Sequence, residues 1–158
     1  MMLEGSCDSD WVTDLEQRKS TTGFVISLAG GAIACMSRRQ SIIALSTAEA
    51  DDVAAREATM EVVAKSNILQ GILPHRSVKL RIGIDNQAAY TMATNPTYSR
   101  RTRHIKLRWH YVREKVEKGA IERHKVKGEE GSADTFTKPL DKKRLRELLT
   151  LVGVGHGE

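Results

Sequence analysis

The sequence predicts a single α/β domain built on a mixed five-stranded sheet, and three observations carry that prediction. Three short apolar or alternating runs open the chain, separated by turn-forming residues. A long Ala-, Val- and Met-rich stretch with helical character follows. Two further strand-like runs then appear, each leading into helical patterns. The resulting order, β-β-β-α-β-α-α-β-α-α, implies an α/β sandwich. At 158 residues the chain fits one domain over residues 1–158, with a core over about 5–140 and a C-terminal helix over about 141–152. A chain of this length buries roughly 70% of its unfolded surface and folds without a disulfide or a structural metal.

Taken in order, LEGSCDSDW, TGFVISL and AIACMS read as three antiparallel strands, joined at Arg18 to Thr22 and at Gly30-Gly31. Ser46 or Thr47 offers an N-cap for a helix that reaches Ile72 or Leu73 and stops at Pro74. VKLRIGID is the fourth strand, alternating at first and then continuously apolar, and it runs into the helical NQAAYTMA with Asp85 at the junction. Beyond Pro96, Ile105, Trp109, Val112 and Val116 recur at helical spacing, and Gly119 closes that helix as a C-terminal glycine does. AIERHKV alternates as a fifth strand. Short helices follow at SADTFTK and at KKRLRELLTLV, where Leu145, Leu148, Leu149 and Val152 form one apolar stripe. No internal repeat, low-complexity tract or linker interrupts the chain.

Composition narrows the class of function. No apolar run approaches the roughly 20 residues of a membrane span, and no signal peptide is expected. The two cysteines, Cys7 and Cys35, suit a reducing compartment and give no ligand cluster for zinc. The expected location is therefore intracellular. Net charge is +5, but between Tyr98 and Lys127 it is +8, so one segment carries the basicity. Within it SRRTRHIKLR places five cations in ten residues, Arg100, Arg101, Arg103, Lys106 and Arg108, with His104 among them. That density fits a polyanion-binding patch better than a solvated helix face. His104, His110 and His124 lie in basic surroundings and read as phosphate or base contacts, or as solvated, rather than as metal ligands.

The acids fall at strand ends and helix starts, where α/β sheets gather ligands. Asp8 lies in the first strand, Glu49, Asp51 and Asp52 in the first turns of the first helix, Asp85 at the tip of the fourth strand and Asp134 at the start of a late helix. Four carboxylates converging from four elements repel one another unless cations bridge them, and hard oxygen donors in that number suit Mg²⁺, with Mn²⁺ as a substitute. Two such ions about 4 Å apart are an apparatus for phosphodiester cleavage. Each acid also has a plainer reading: Asp8 beside a turn, Asp85 and Asp134 as helix caps. Asp10 is expected to make local hydrogen bonds.

DSDW, RKSTTGFV, GGAI, ALSTAEA, DNQAA, NP, RTRHI, the RWHYVRE helix and ADTFTKPL occur in an order and at spacings that resemble the ribonuclease H domain of Ty1/copia-type retrotransposon polyproteins, from about Gly5 to Leu140. The resemblance implies an RNase H fold with sheet order 3-2-1-4-5. It implies hydrolysis of the RNA strand of RNA/DNA hybrids with two Mg²⁺ ions, and a monomer working with an attached or separate reverse transcriptase domain. A cytoplasmic retrotransposon particle or the nucleus is the location it implies. It places catalytic and metal-binding acids at Asp8, Asp51, Asp85 and Asp134. On the implied order Cys7 and Cys35 lie on strands flanking a third, about 10 Å apart, beyond the roughly 7 Å that a disulfide spans; two free thiols are expected.

One stretch departs from the pattern. Domains of this kind usually carry glutamate where this chain has Asp51 and an apolar residue where it has Asp52. The shorter side chain withdraws the carboxylate by roughly 1.5 Å, and metal–ligand distances tolerate only a few tenths of an ångström. Glu49 is the rival ligand, although two residues along a helix is a rotation of about 200°. A second reading therefore stands beside the nuclease: a catalytically weakened or inactive retroelement-derived domain that binds nucleic acid.

Overall fold

The computed structural model describes residues 1–84, 111–126 and 131–154. Five strands, β1 (Met2–Asp14), β2 (Lys19–Leu28), β3 (Gly31–Arg39), β4 (Lys79–Ile84) and β5 (Glu122–Lys125), form one sheet in the order β3-β2-β1-β4-β5. β2 runs antiparallel to β1 and β3, whereas β1, β4 and β5 are parallel. The mixed sheet and its 3-2-1-4-5 order match the expectation from sequence.

β1 is central and alternates strictly. Leu3, Cys7 and Ser9 are buried on the face that meets the long helix α1 (Thr47–Ile72), and Glu4, Ser6 and Asp8 point to the other face. α1 fits the sheet because its small residues share one side: Ala54, Ala55, Ala58 and Val62 close over Leu3, Cys7, Phe24, Ile26, Ile82 and Ile84. Its ends fall where the sequence put them. Ser46 is the N-cap and Leu73 the C-cap, with the Leu73 N–H donating to the Leu69 carbonyl at 2.7 Å.

The second face carries a 3₁₀ turn, Ser132–Phe136, and the C-terminal helix α2 (Lys142–Leu151). Asp141 caps α2 by accepting the Lys143 and Arg144 N–H groups at 2.9 Å each. Leu148 and Val152 are its buried anchors, and the Val152 carbonyl accepts the Ala32 N–H of β3 at 2.8 Å. Residues 111–117 are helical. They end in a Schellman closure at Gly119 (φ 66°), where Gly119 N–H donates to Val116 and Ala120 N–H to Lys115.

Strand lengths differ from expectation in physical ways. β2 begins at Lys19, before the expected Thr22, because Ser20 and Thr22 are buried and the chain turns earlier. Asp14 Oδ1 accepts the N–H groups of Glu16 and Gln17 and sets that turn. The next hairpin turns on Ala29 and Gly30, both at positive φ, as a two-residue primed turn requires. β1 extends to Asp14 through an irregularity after Asp10, where Val12 takes φ 54°. The expected helix at NQAAYTMA, and Ile105 and Trp109 of the next, lie outside the described residues. Cys7 and Cys35 sit on β1 and β3 with β2 between them and are both free thiols, as expected.

Candidate active site

Asp8 is the centre of the site, placed by the strand's period of two on the side of β1 opposite α1. Opposite it on β2 is Gly23, and a Cβ there would meet Thr137 Cγ2 at 2.7 Å and Phe136 Cβ at 2.8 Å. The absence of a side chain at Gly23 is therefore what lets the 3₁₀ turn lie against the sheet. That contact brings the Thr137 hydroxyl to Asp8 Oδ2, to which it donates. It also brings Lys138, whose Nζ lies 3.1 Å from Asp8 Oδ2 and 3.2 Å from Asp134 Oδ1.

Asp51 reaches the site from α1. It is 7% exposed, and its Oδ1 accepts the Ser9 hydroxyl at 2.5 Å. Asp8, Ser9, Asp10, Trp11, Thr47, Asp51 and Lys138 line one open cleft. Glu49 is used elsewhere: its N–H donates to the Ser46 hydroxyl at 3.2 Å and its Oε2 accepts the Leu45 N–H at 2.8 Å, a reciprocal cap on the helix start. Gln40 fastens the same helix end from below, donating to Thr22 Oγ1 and to the Ala50 carbonyl, both at 2.9 Å. Asp52 is 3% exposed and lies on the flank of α1 that it shares, at seven-residue spacing, with buried Thr59 and Ser66.

The charges act on one another. Burial, and after it the charge of Asp8, pushes the Asp134 carboxyl above its ordinary range despite Lys138. Burial works against the Lys138 ammonium, but Asp8 and then Asp134 outweigh it and raise its pKa. Burial pushes the Cys7 thiol far up, helped by the charges of Asp51, Asp8 and Asp52, so it stays protonated and donates to the Gly83 carbonyl at 3.5 Å.

Asp8, Asp51 and Asp134 thus come to one end of the sheet from three elements. Asp85, and the basic residues Arg100, Arg101, Arg103, His104, Lys106 and Arg108, lie outside the described residues. Ile84, the residue before Asp85, pairs with Cys7, the residue before Asp8. Among the described residues no three acid, histidine or cysteine side chains close on a single ion, and Lys138 stands between two of the acids. The donor set is nevertheless all hard oxygen, and a cation already sits within 3.2 Å of two of its members, so the chemistry fits a divalent ion. Of the histidines, His124 faces Glu4 at 3.1 Å across the sheet and also feels the charge of Arg81, while His104 and His110 lie outside the described residues.

No protein-family model matches the chain. It is 34% identical over 153 residues to the retrovirus-related Pol polyprotein from transposon TNT 1-94 of Nicotiana tabacum, a match spanning 97% of this chain and 11% of that protein. This chain is homologous to one segment of Ty1/copia-type Pol polyproteins. Among solved structures it resembles LC11-RNase H1 in complex with an RNA/DNA hybrid, with a TM-score of 0.56 at 14% identity over 85% of this chain and 93% of that one. It also resembles the N-terminal RNase H domain of Rv2228c from Mycobacterium tuberculosis, at TM-score 0.56 and 11% identity over 94% and 96%. The fold is that of ribonuclease H.

In this Pol-type RNase H fold several site residues were not singled out from sequence: Ser9, Gly23, Gln40, Thr137 and Lys138. Lys138 alone has a readable signal, since it stands four residues after Asp134 on a stretch that the sequence predicts to be helical, a spacing that pairs side chains. The others depend on where the 3₁₀ turn and α1 meet the sheet.

Proposed function

We propose that the domain hydrolyses the RNA strand of RNA/DNA hybrids, with Asp8, Asp51, Asp85 and Asp134 holding two Mg²⁺ ions for which Mn²⁺ substitutes. The observation that carries this reading is that Asp8 and Asp51 line one open cleft of an RNase H fold, with Asp134 joined to Asp8 through the Lys138 ammonium. When bound, the ions would supply Lewis-acid chemistry at the scissile phosphate. Asp8 and Asp85 would be shared between them, with Asp51 and Asp134 completing one position each. Thr137 donates to the Asp8 carboxylate and Ser9 to that of Asp51, so each acid is held in one orientation. Water attacks in line with the departing 3′ oxygen, leaving a 5′-phosphate and a 3′-hydroxyl. RNA is selected over DNA through its 2′-hydroxyls, while Arg100, Arg101, Arg103, His104, Lys106 and Arg108 hold the backbone. In this reading the domain is a monomer that works alongside an attached or separate reverse transcriptase domain, in a cytoplasmic particle or the nucleus. Among the described residues no helix is long and apolar enough to cross a membrane.

One observation favours the weaker-copy reading. The carboxylate of Asp51, already a methylene short, is bonded to Ser9 at 2.5 Å. Incubating hybrid labelled on the RNA strand with the protein, in Mg²⁺ and then in Mn²⁺, separates the two. Cleavage in either ion supports the nuclease, and hybrid binding without cleavage in both identifies a binding domain.

A further inference from the structure

We propose that Lys138 is a built-in counter-cation that competes with divalent metal for the Asp8–Asp134 position, so that its ammonium must swing out before the site can load. The inference rests on the metal-centre reading above and adds a residue that regulates it. Lys138 Nζ lies 3.1 Å from Asp8 Oδ2 and 3.2 Å from Asp134 Oδ1, bridging two carboxylates that would otherwise repel each other across a partly buried gap. The Thr137 hydroxyl donates to the same Asp8 oxygen. One carboxylate oxygen therefore serves two donors and has little capacity left for an ion while the lysine is in place.

The geometry also permits departure. The Lys138 side chain is 39% exposed against 12% and 18% for Asp8 and Asp134, so it enters from the solvent side of the cleft that it lines, on a long flexible stem. In the metal-free protein the ammonium keeps the acids together. When a divalent ion enters, the ammonium is repelled and displaced toward the cleft mouth, where it is free to meet a substrate phosphate.

Binding of Mn²⁺ to the whole protein, measured by calorimetry or by the spin signal of free Mn²⁺ without nucleic acid, tests this. Lys138→Met and Lys138→Gln should each bind Mn²⁺ roughly tenfold more tightly or better, and their melting points should fall without metal and recover further on adding it than the wild type's do. Lys138→Arg, which keeps the charge, should bind as weakly as wild type. Asp8→Asn in the Lys138→Met background should remove the gain. Unchanged or weaker Mn²⁺ affinity in the charge-removing variants overturns the inference. If neither variant folds without metal, Mn²⁺-dependent recovery of the native circular dichroism supports it and no recovery overturns it. Tighter Mn²⁺ binding in a protein that cuts no hybrid would keep this inference and sink the nuclease reading, and cleavage with unchanged affinity would do the reverse.

Discussion

Asp51 and Glu49 stand two residues apart on α1 and have different work. Glu49 accepts the Leu45 N–H at the helix start, whereas Asp51 lines the cleft and takes the Ser9 hydroxyl. Lengthening Asp51 to glutamate should raise Mg²⁺-dependent cleavage about tenfold, or 1.4 kcal/mol of transition-state stabilisation. Glu49→Gln should leave cleavage nearly unchanged and cost about 0.5–1 kcal/mol of stability through the weakened cap. Loss of cleavage in Glu49→Gln, with Asp51→Glu and Asp51→Asn both unchanged, would make Glu49 the working acid. At Gly23 the smallest possible addition is the sharp one. Gly23→Ala drives a methyl into Thr137 and Phe136, so chemical denaturation should show a loss of roughly 1–3 kcal/mol. Asp8, Asp51 and Asp134 were legible in the sequence because motif spacing fixes acids on named elements. Gly23, Ser9 and Thr137 were not, because their importance arises where one element lies against another.

Elements were legible in proportion to how local their causes are. The sequence places each end of α1 to within one residue, by its cap and by Pro74, and the end of the 111–117 helix by Gly119. β2 was read three residues short because Ser20 and Thr22, polar in sequence, are buried in the sheet. Two elements support predictions of their own. α2 hangs on one fully buried side chain, so Leu148→Ala should cost about 2–5 kcal/mol and release the helix from the β2–β3 hairpin. β5 carries His124, whose pKa is lowered by burial and by Arg81 against the pull of Glu4. The unfolded chain therefore binds a proton more readily than the fold, and stability should fall as pH drops through the ordinary histidine value of 6.5. Melting curves between pH 7.5 and 5 should show this slope, and His124→Gln should flatten it.

For the molecule as a whole, the net charge of +5 conceals an uneven distribution: acids at the sheet end, and a basic segment between Tyr98 and Lys127 in the sequence. Neutralising Arg101 and Arg103 together should weaken binding to every duplex and reduce the salt slope by at most about two, since each phosphate contact contributes roughly 0.9. Full affinity retained in that double variant would make the segment a solvated face. The fold class is legible because hydrophobic period and turn residues act over short distances, whereas the strand order is implied only by the resemblance to the retrotransposon domain. The cation between Asp8 and Asp134 is not legible, because it depends on two acids 126 positions apart in the chain being brought together by the sheet. The central claim is that this gathering of acids cuts RNA, and the most direct measurement is cleavage of an RNA strand paired with DNA, in Mg²⁺ or Mn²⁺, by the wild type and by Asp8→Asn. The account predicts 5′-phosphate products from the wild type, none from Asp8→Asn at unchanged folding, and no cutting of duplex DNA. Equal cleavage by both proteins, or none by either in both ions, would contradict it.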